Sequence, residues 1–135
     1  MLREISTNMG QIVRMAQYGT KHGHAGGVLK VMLEHPSICV TGVYEPDVKR
    51  RKILRSLGKP PWSLVNWYDD KREMLADPSI TAIASEGSNA ESLEQTEEII
   101  EFGKHAFYDK PAGRNYAQFK RIMDKAGEEG LQVQM

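Results

Sequence analysis

The sequence predicts an α/β fold: a doubly wound parallel sheet with helices on both faces. Three observations carry that prediction. Short apolar or β-branched runs alternate with longer segments of helical spacing along nearly the whole chain. Several helical segments open on a capping residue and close on glycine or before proline. A glycine-rich turn follows the first strand, where a βαβ unit makes its tightest connection.

The elements follow in order. IVRMAQY (12–18) reads as the first strand, and residues 1–11 as an N-terminal arm before a domain spanning 12–135. From Ala25, apolar Val28, Leu29, Met32 and Leu33 recur at helical steps, and the pattern stops at His35-Pro36. SICVTGVY (37–44) is the second strand. PDVKRRKILRSLG (46–58) opens with Pro and Asp and closes with Gly58, a helix with both signals. KPPWSLVNWYDD (59–70) is irregular, with one short strand expected around Val65–Trp67. KREMLAD (71–77) predicts a short helix, and ITAIAS (80–85) a further strand. Residues 89–103 form a helix that starts at Asn89 and ends at Gly103. KHAFYD (104–109) is a strand, residues 115–130 a helix capped by Asn115, and LQVQM (131–135) a last strand. Ending on a strand, the chain reads as the first part of something longer.

Bulk composition narrows the function. The 135 residues suffice for one domain with a single core. Eighteen basic and eighteen acidic side chains cancel, which argues against a nucleic-acid partner. No apolar run is long enough to span a bilayer, and MLREISTNMG has no signal-peptide core. The single cysteine, Cys39, lies in an apolar run and reads as a buried structural thiol, so the expected setting is cytoplasmic.

GTKHGHAGG (19–27) is the segment on which function turns. A pyrophosphate approaches a backbone closely only where side chains are absent, and a following helix N-terminus supplies partial positive charge. Gly19 stands at the turn and Gly23 just before the helix, while Gly26 and Gly27 suit close helix–strand packing. Lys21 occupies the middle glycine of the usual G-x-G-x-x-G pattern, so it either meets a phosphate or points into solvent. A glycine-rich turn without a ligand is the alternative. His22 and His24 do not share a helical face, and no acid or cysteine stands near them in sequence, so no metal site is expected. Glu45, in VYEPD after the second strand, is placed to accept from ribose hydroxyls. A carboxylate there repels a 2′-phosphate and favours NAD over NADP. Arg50 or Arg51 pulls the other way unless the run 49–51 is simply a solvated helix face.

GKHAFYDKPAG (103–113) ends a strand with Asp109-Lys110-Pro111, and ligands in open α/β sheets bind beyond such ends. In this segment, in the glycine turn and in the Glu45-Pro46-Asp47 turn, the chain resembles the N-terminal Rossmann domain of the glucose–fructose oxidoreductase / inositol dehydrogenase (Gfo/Idh/MocA) family. The resemblance covers nearly everything after about residue 11. It implies NAD or NADP as cofactor and hydride transfer to or from a sugar, cyclitol or related alcohol. By position, Lys110 matches the family's active-site lysine. Gly19, Thr20, Lys21, His22, Gly23, His24, Glu45, Asn89, Asp109 and Pro111 match its cofactor-binding positions. The resemblance also implies a second, substrate-binding domain that this chain does not contain, and it leaves room for a homo-oligomer. Three departures stand out. Asp109 replaces a glutamate, Gly87–Ser92 lacks the family's proline and histidine, and Lys21-His22 alters the loop. A non-catalytic nucleotide-sensing or assembly module with the same fold is the alternative.

Overall fold

Strand β1 (Val13–Tyr18) runs into the glycine turn, helix α1 (Ala25–Glu34) follows, and the chain returns as β2 (Ile38–Tyr44). The computed structural model describes residues 10–135; the expected arm lies, up to residue 9, outside the described residues. Then come α2 (Val48–Ser56), a 3-10 turn (Trp62–Leu64) and α3 (Lys71–Leu75). Strand β3 (Ala82–Ser85), α4 (Ser92–Glu101), β4 (His105–Tyr108), α5 (Tyr116–Glu128) and β5 (Val133–Gln134) complete the domain.

Capping chemistry sets several starts. The side chains of Asp47 and Asn115 accept from the backbone N–H three residues on, and that of Asp70 from the N–H two residues on. Asn89 does not start α4 as its spacing suggests. Glu91 Oε1 instead accepts from Ser88 N at 3.1 Å and Ser88 Oγ at 2.6 Å, which closes residues 88–91 into a turn and delays the helix to Ser92.

All pairings are parallel, in the order β2-β1-β3-β4-β5. The strand expected around Val65–Trp67 is a single parallel bridge, Val43 to Trp67, flanking β2. Gly42 permits it, because a Cβ there would lie 2.7 Å from the Tyr68 ring and 2.9 Å from Asn66 O. The chain leaves β1 toward one edge of the sheet and leaves β3 toward the other. Their adjacent carboxyl ends are therefore the switch point at which such sheets hold ligands.

The faces are covered unequally. Ala16, Tyr18, Ile83 and Ala106 pack under Leu75, Leu93, Ile99, Ile100 and Ile122 from α3, α4 and α5, all buried. The opposite face has Leu29 and Met32 of α1 over Val43 and Ala84. Beyond α1 lies an open groove of about 800 Å³, lined by Met15, Val28, Val31, Ala84 and Phe107. Gly26 and Gly27 do not serve close helix–strand packing. A Cβ on Gly26 would meet only Trp62, at 3.6 Å, and one on Gly27 nothing within 4 Å. Cys39 is half-buried rather than buried, with Arg14 Nη1 at 3.7 Å from its sulfur.

Candidate functional site

The turn after β1 crosses the switch point in contact with the end of β3. Gly19 has φ +93°, and a Cβ on it would lie 2.6 Å from Gly87 N, so glycine is required twice over. Backbone bonds fix the crossing: Gly19 N donates to Tyr44 O (2.7 Å), Glu86 N to Tyr18 O (2.7 Å) and His22 N to Glu86 O (3.0 Å). Below it, buried Gln17 donates through Nε2 to Gly19 O (3.2 Å) and Ala25 O (3.3 Å). The Gln95 amide packs against both Gly19 and Gly87. The Oε1 atoms of Gln17 and Gln95 are buried without a donor among the described residues.

On the β2 side a polar chain locks the loop. Arg50 Nε donates to Thr20 Oγ1 (2.7 Å), which donates to Glu45 Oε1 (2.6 Å). Thr20 N also donates to that oxygen (2.9 Å), and Asp47 N donates to Glu45 Oε2 (2.8 Å). Both oxygens of the buried Glu45 are therefore engaged with the chain itself. Lys21 lies 3.3 Å from Asp47, neither bare in solvent nor aimed across the crevice. The Arg50 N–H, then Lys21, hold the Asp47 carboxyl below its usual range.

The β4 side carries the ionisable cluster. His22 Nε2 donates to Lys110 O at 3.0 Å, which leaves Nδ1 with the lone pair, and Nδ1 accepts from His24 N at 3.0 Å. His22 Nδ1 lies 3.6 Å from Asp109 Oδ2 and 3.9 Å from Glu86 Oε2, and His24 Nδ1 lies 3.1 Å from Asp109 Oδ1. Glu86 is fully buried, and no N–H or O–H of another residue reaches either oxygen among the described residues. Burial, and then the neighbouring Asp109 charge and a shared hydrogen bond, push its carboxyl up to about 8. At Asp109 burial acts upward as well. The His24 hydrogen bond and the nearby imidazoles outweigh it and hold that carboxyl below its ordinary value.

The fold thus gathers Gly19, Thr20, His22, Gly23, His24, Asp109 and Lys110 at the carboxyl ends of β1 and β4, and of these Gly23, His24 and Asp109 line the open groove. The neighbours of His22 and His24 in sequence include no acid or cysteine. Folding supplies the missing acid, since His22, His24 and Asp109 place ligand atoms within 4.8 Å of one another. Exposed Lys110 leads into Pro111 through a cis peptide. Asn89 stands apart, in a cleft of about 380 Å³ with Arg114 and Asn115. Sequence reading missed Glu86, Gln17 and Gln95. For Glu86 a signal existed, an acid directly after the strand ITAIAS and before a glycine.

A family model described as an oxidoreductase family with an NAD-binding Rossmann fold matches residues 13–135. Solved structures share the fold. GenD2 from gentamicin A biosynthesis, solved with NAD, is 17% identical with a TM-score of 0.78, over 93% of this chain and 34% of that one. An NAD-binding protein from Listeria innocua is 19% identical (TM-score 0.76, 91% of this chain, 33% of that one). Biliverdin reductase from Synechocystis, solved with biliverdin and NADP+, is 20% identical (TM-score 0.74, 90% and 37%). The chain spans about a third of the length of each.

Proposed function

The chain belongs to the Gfo/Idh/MocA oxidoreductase family as an NAD(P)-binding domain, and on that premise we propose that it serves hydride transfer to or from a sugar, cyclitol or related alcohol. The observation that supports this most is the crossing of the Gly19 turn over Gly87 at the sheet's switch point, with Lys110 at the same end. The residues suit a dinucleotide. A Cβ on Gly23 would meet nothing within 4 Å, so its backbone is approachable. Helix α1 starts with no side-chain cap and no acid in its first turn, so its partial positive charge meets no counter-charge from the helix itself. Gly19, Thr20, His22, Gly23 and His24 would line the phosphates, with Asp109 and Pro111 bordering the reactive end. A nicotinamide supplies the two-electron chemistry when bound. The Lys110 ammonium would stabilise negative charge developing on the substrate oxygen.

NAD is favoured over NADP. Glu45 and Asp47 put two carboxylates at the end of β2, while Arg50 is occupied by Thr20 and Lys21 by Asp47. The two carboxylates would repel a 2′-phosphate, while its bonds to Thr20 hold the Arg50 guanidinium against the loop. Glu45 then acts by shaping the loop, not by binding the ribose with a free oxygen. We place the substrate pocket in sequence beyond this domain, a reading that the greater length of the relatives supports, and the setting in the cytoplasm. Among the described residues no helix is long and apolar enough to cross a membrane.

Titration with NADH and NADPH, followed by nucleotide fluorescence, tests the reading. Saturable binding is expected, tighter for NADH, and Glu45→Gln should weaken it by loosening Thr20. A folded chain that binds neither nucleotide contradicts the proposal.

A further inference from the structure

Beyond the dinucleotide reading, the β4 side of the crevice gathers four side chains able to ligate a metal ion. His22 and His24 come from the turn after β1, Glu86 from the end of β3 and Asp109 from the end of β4. We propose that His22, His24, Asp109 and Glu86 form a binding site for a divalent transition metal, with Zn²⁺ the ion that fits best.

Geometry carries the proposal. Zinc binds nitrogen and carboxylate oxygen at about 2.0–2.2 Å, so tetrahedral ligand atoms stand roughly 3.3–3.6 Å apart. His22, His24 and Asp109 place ligand atoms within 4.8 Å of one another, with Asp109 Oδ1 at 3.1 Å from His24 and Oδ2 at 3.6 Å from His22, and Glu86 Oε2 stands 3.9 Å from His22, so small side-chain shifts reach the tetrahedral spacing. His22 is in the tautomer a ligand needs: its Nε2–H is held by Lys110 O, and its Nδ1, which accepts from His24 N, lies within 3.9 Å of both carboxylates. Ligating histidines are normally held this way, by a carbonyl on the far ring nitrogen. Two imidazoles with two carboxylates suit zinc, whereas calcium and magnesium take oxygen ligands.

Glu86 is the independent observation. It is fully buried, lacks a donor from any other described residue, and has Oε2 directed at His22 Nδ1. Ionising a buried carboxyl without a donor is costly, and beside a second carboxylate more so. A dication would take the place of the Glu86 proton and offset the two carboxylate charges. It would take the place of the His24 backbone N–H on His22 Nδ1 and of the His24 Nδ1–H bond to Asp109, the His24 ring proton moving to Nε2, and the proton released would be that of the Glu86 carboxyl. The side chain of His24 is 62% exposed, so the site opens to solvent on that side.

The test is calorimetric titration of the chelator-stripped chain with ZnCl₂, without nucleotide, so that its outcome is separate from that of the NAD(P) reading. Co²⁺ is titrated in parallel, its visible absorption reporting four-coordination. One zinc per chain is expected. His24→Ala, Asp109→Asn and Glu86→Gln should each weaken binding by at least the ~100-fold that loss of an outer partner costs at its upper end. His35→Ala, remote from the crevice, should leave it unchanged. His24 is exposed enough that its truncation should not disturb folding, which circular dichroism checks. No saturable zinc binding, or zinc binding that all three variants leave intact, overturns the proposal.

Discussion

The two ends of strands β3 and β4 treat buried charge in opposite ways. At the amino ends of β3 and β4, the buried Lys104 ammonium donates to Asp77 O at 2.6 Å and Ile80 O at 2.8 Å. Nearby, Ser79 donates to Asp77 Oδ1 through both N (2.8 Å) and Oγ (2.7 Å), and Arg14 donates to Ser79 Oγ (3.0 Å). At the carboxyl ends, Glu86 is buried with neither oxygen receiving a donor from another described residue, and Gln17 and Gln95 each keep a bare oxygen. One end closes its hydrogen bonds internally. The other leaves acceptors open around a turn that glycine holds against its neighbour. Buried polar groups are ordinarily satisfied, so an unsatisfied cluster at the switch point marks where something else binds.

Substitutions can break that contrast. The largest effect is expected from Gly19→Ala. Its positive φ and the 2.6 Å approach to Gly87 N should cost roughly 2–4 kcal/mol in urea denaturation and abolish nucleotide binding. Lys104→Met, at the other end, should cost roughly 2–3 kcal/mol by stranding two carbonyls, yet leave nucleotide affinity unchanged. If Lys104→Met weakened the nucleotide as much as Gly19→Ala, the division between the ends would fail.

Acid–base behaviour should divide the same way. The Glu86 carboxyl is raised to about 8, so the folded chain keeps a proton that the unfolded chain releases above its ordinary 4.5. Stability then falls as pH rises through that window. Glu86→Gln should remove the decline and add roughly 1–2 kcal/mol above pH 8 in metal-free buffer, read by thermal melts across pH. Asp77 has the reverse sign and the smallest effect. The Ser79 hydrogen bonds hold its carboxyl below 3.8, so its contribution is present above that value and lost as pH falls through the lower folded one. Asp77→Asn should flatten the melting temperature against pH on the acid side alone.

The alternation of elements was legible because period-2 and period-3.6 patterns are local, and β1, β2 and the α5 cap at Asn115 lie within a residue or two of their expected places. The glycine turn and the Asp109-Lys110-Pro111 strand end were legible for the same reason. Asn89 misled, because a side chain able to cap gives no sign that Ser88 and Glu91 will bond to each other first. The histidine cluster was not legible at all. Asp109 is 85 residues from His24 and Glu86 is 64 from His22, and only the order β1-β3-β4 brings their carboxyl ends together. Nor does an acid in the Glu45 position reveal that its oxygens will be consumed by Thr20 and Asp47.

Amide hydrogen exchange with and without saturating NADH tests the contrast between the two ends most directly. The account predicts new protection over residues 19–27, 86–87 and 109–111, with none over 77–80 or at Lys104. Protection spread evenly over both ends, or confined to the amino ends, would contradict it.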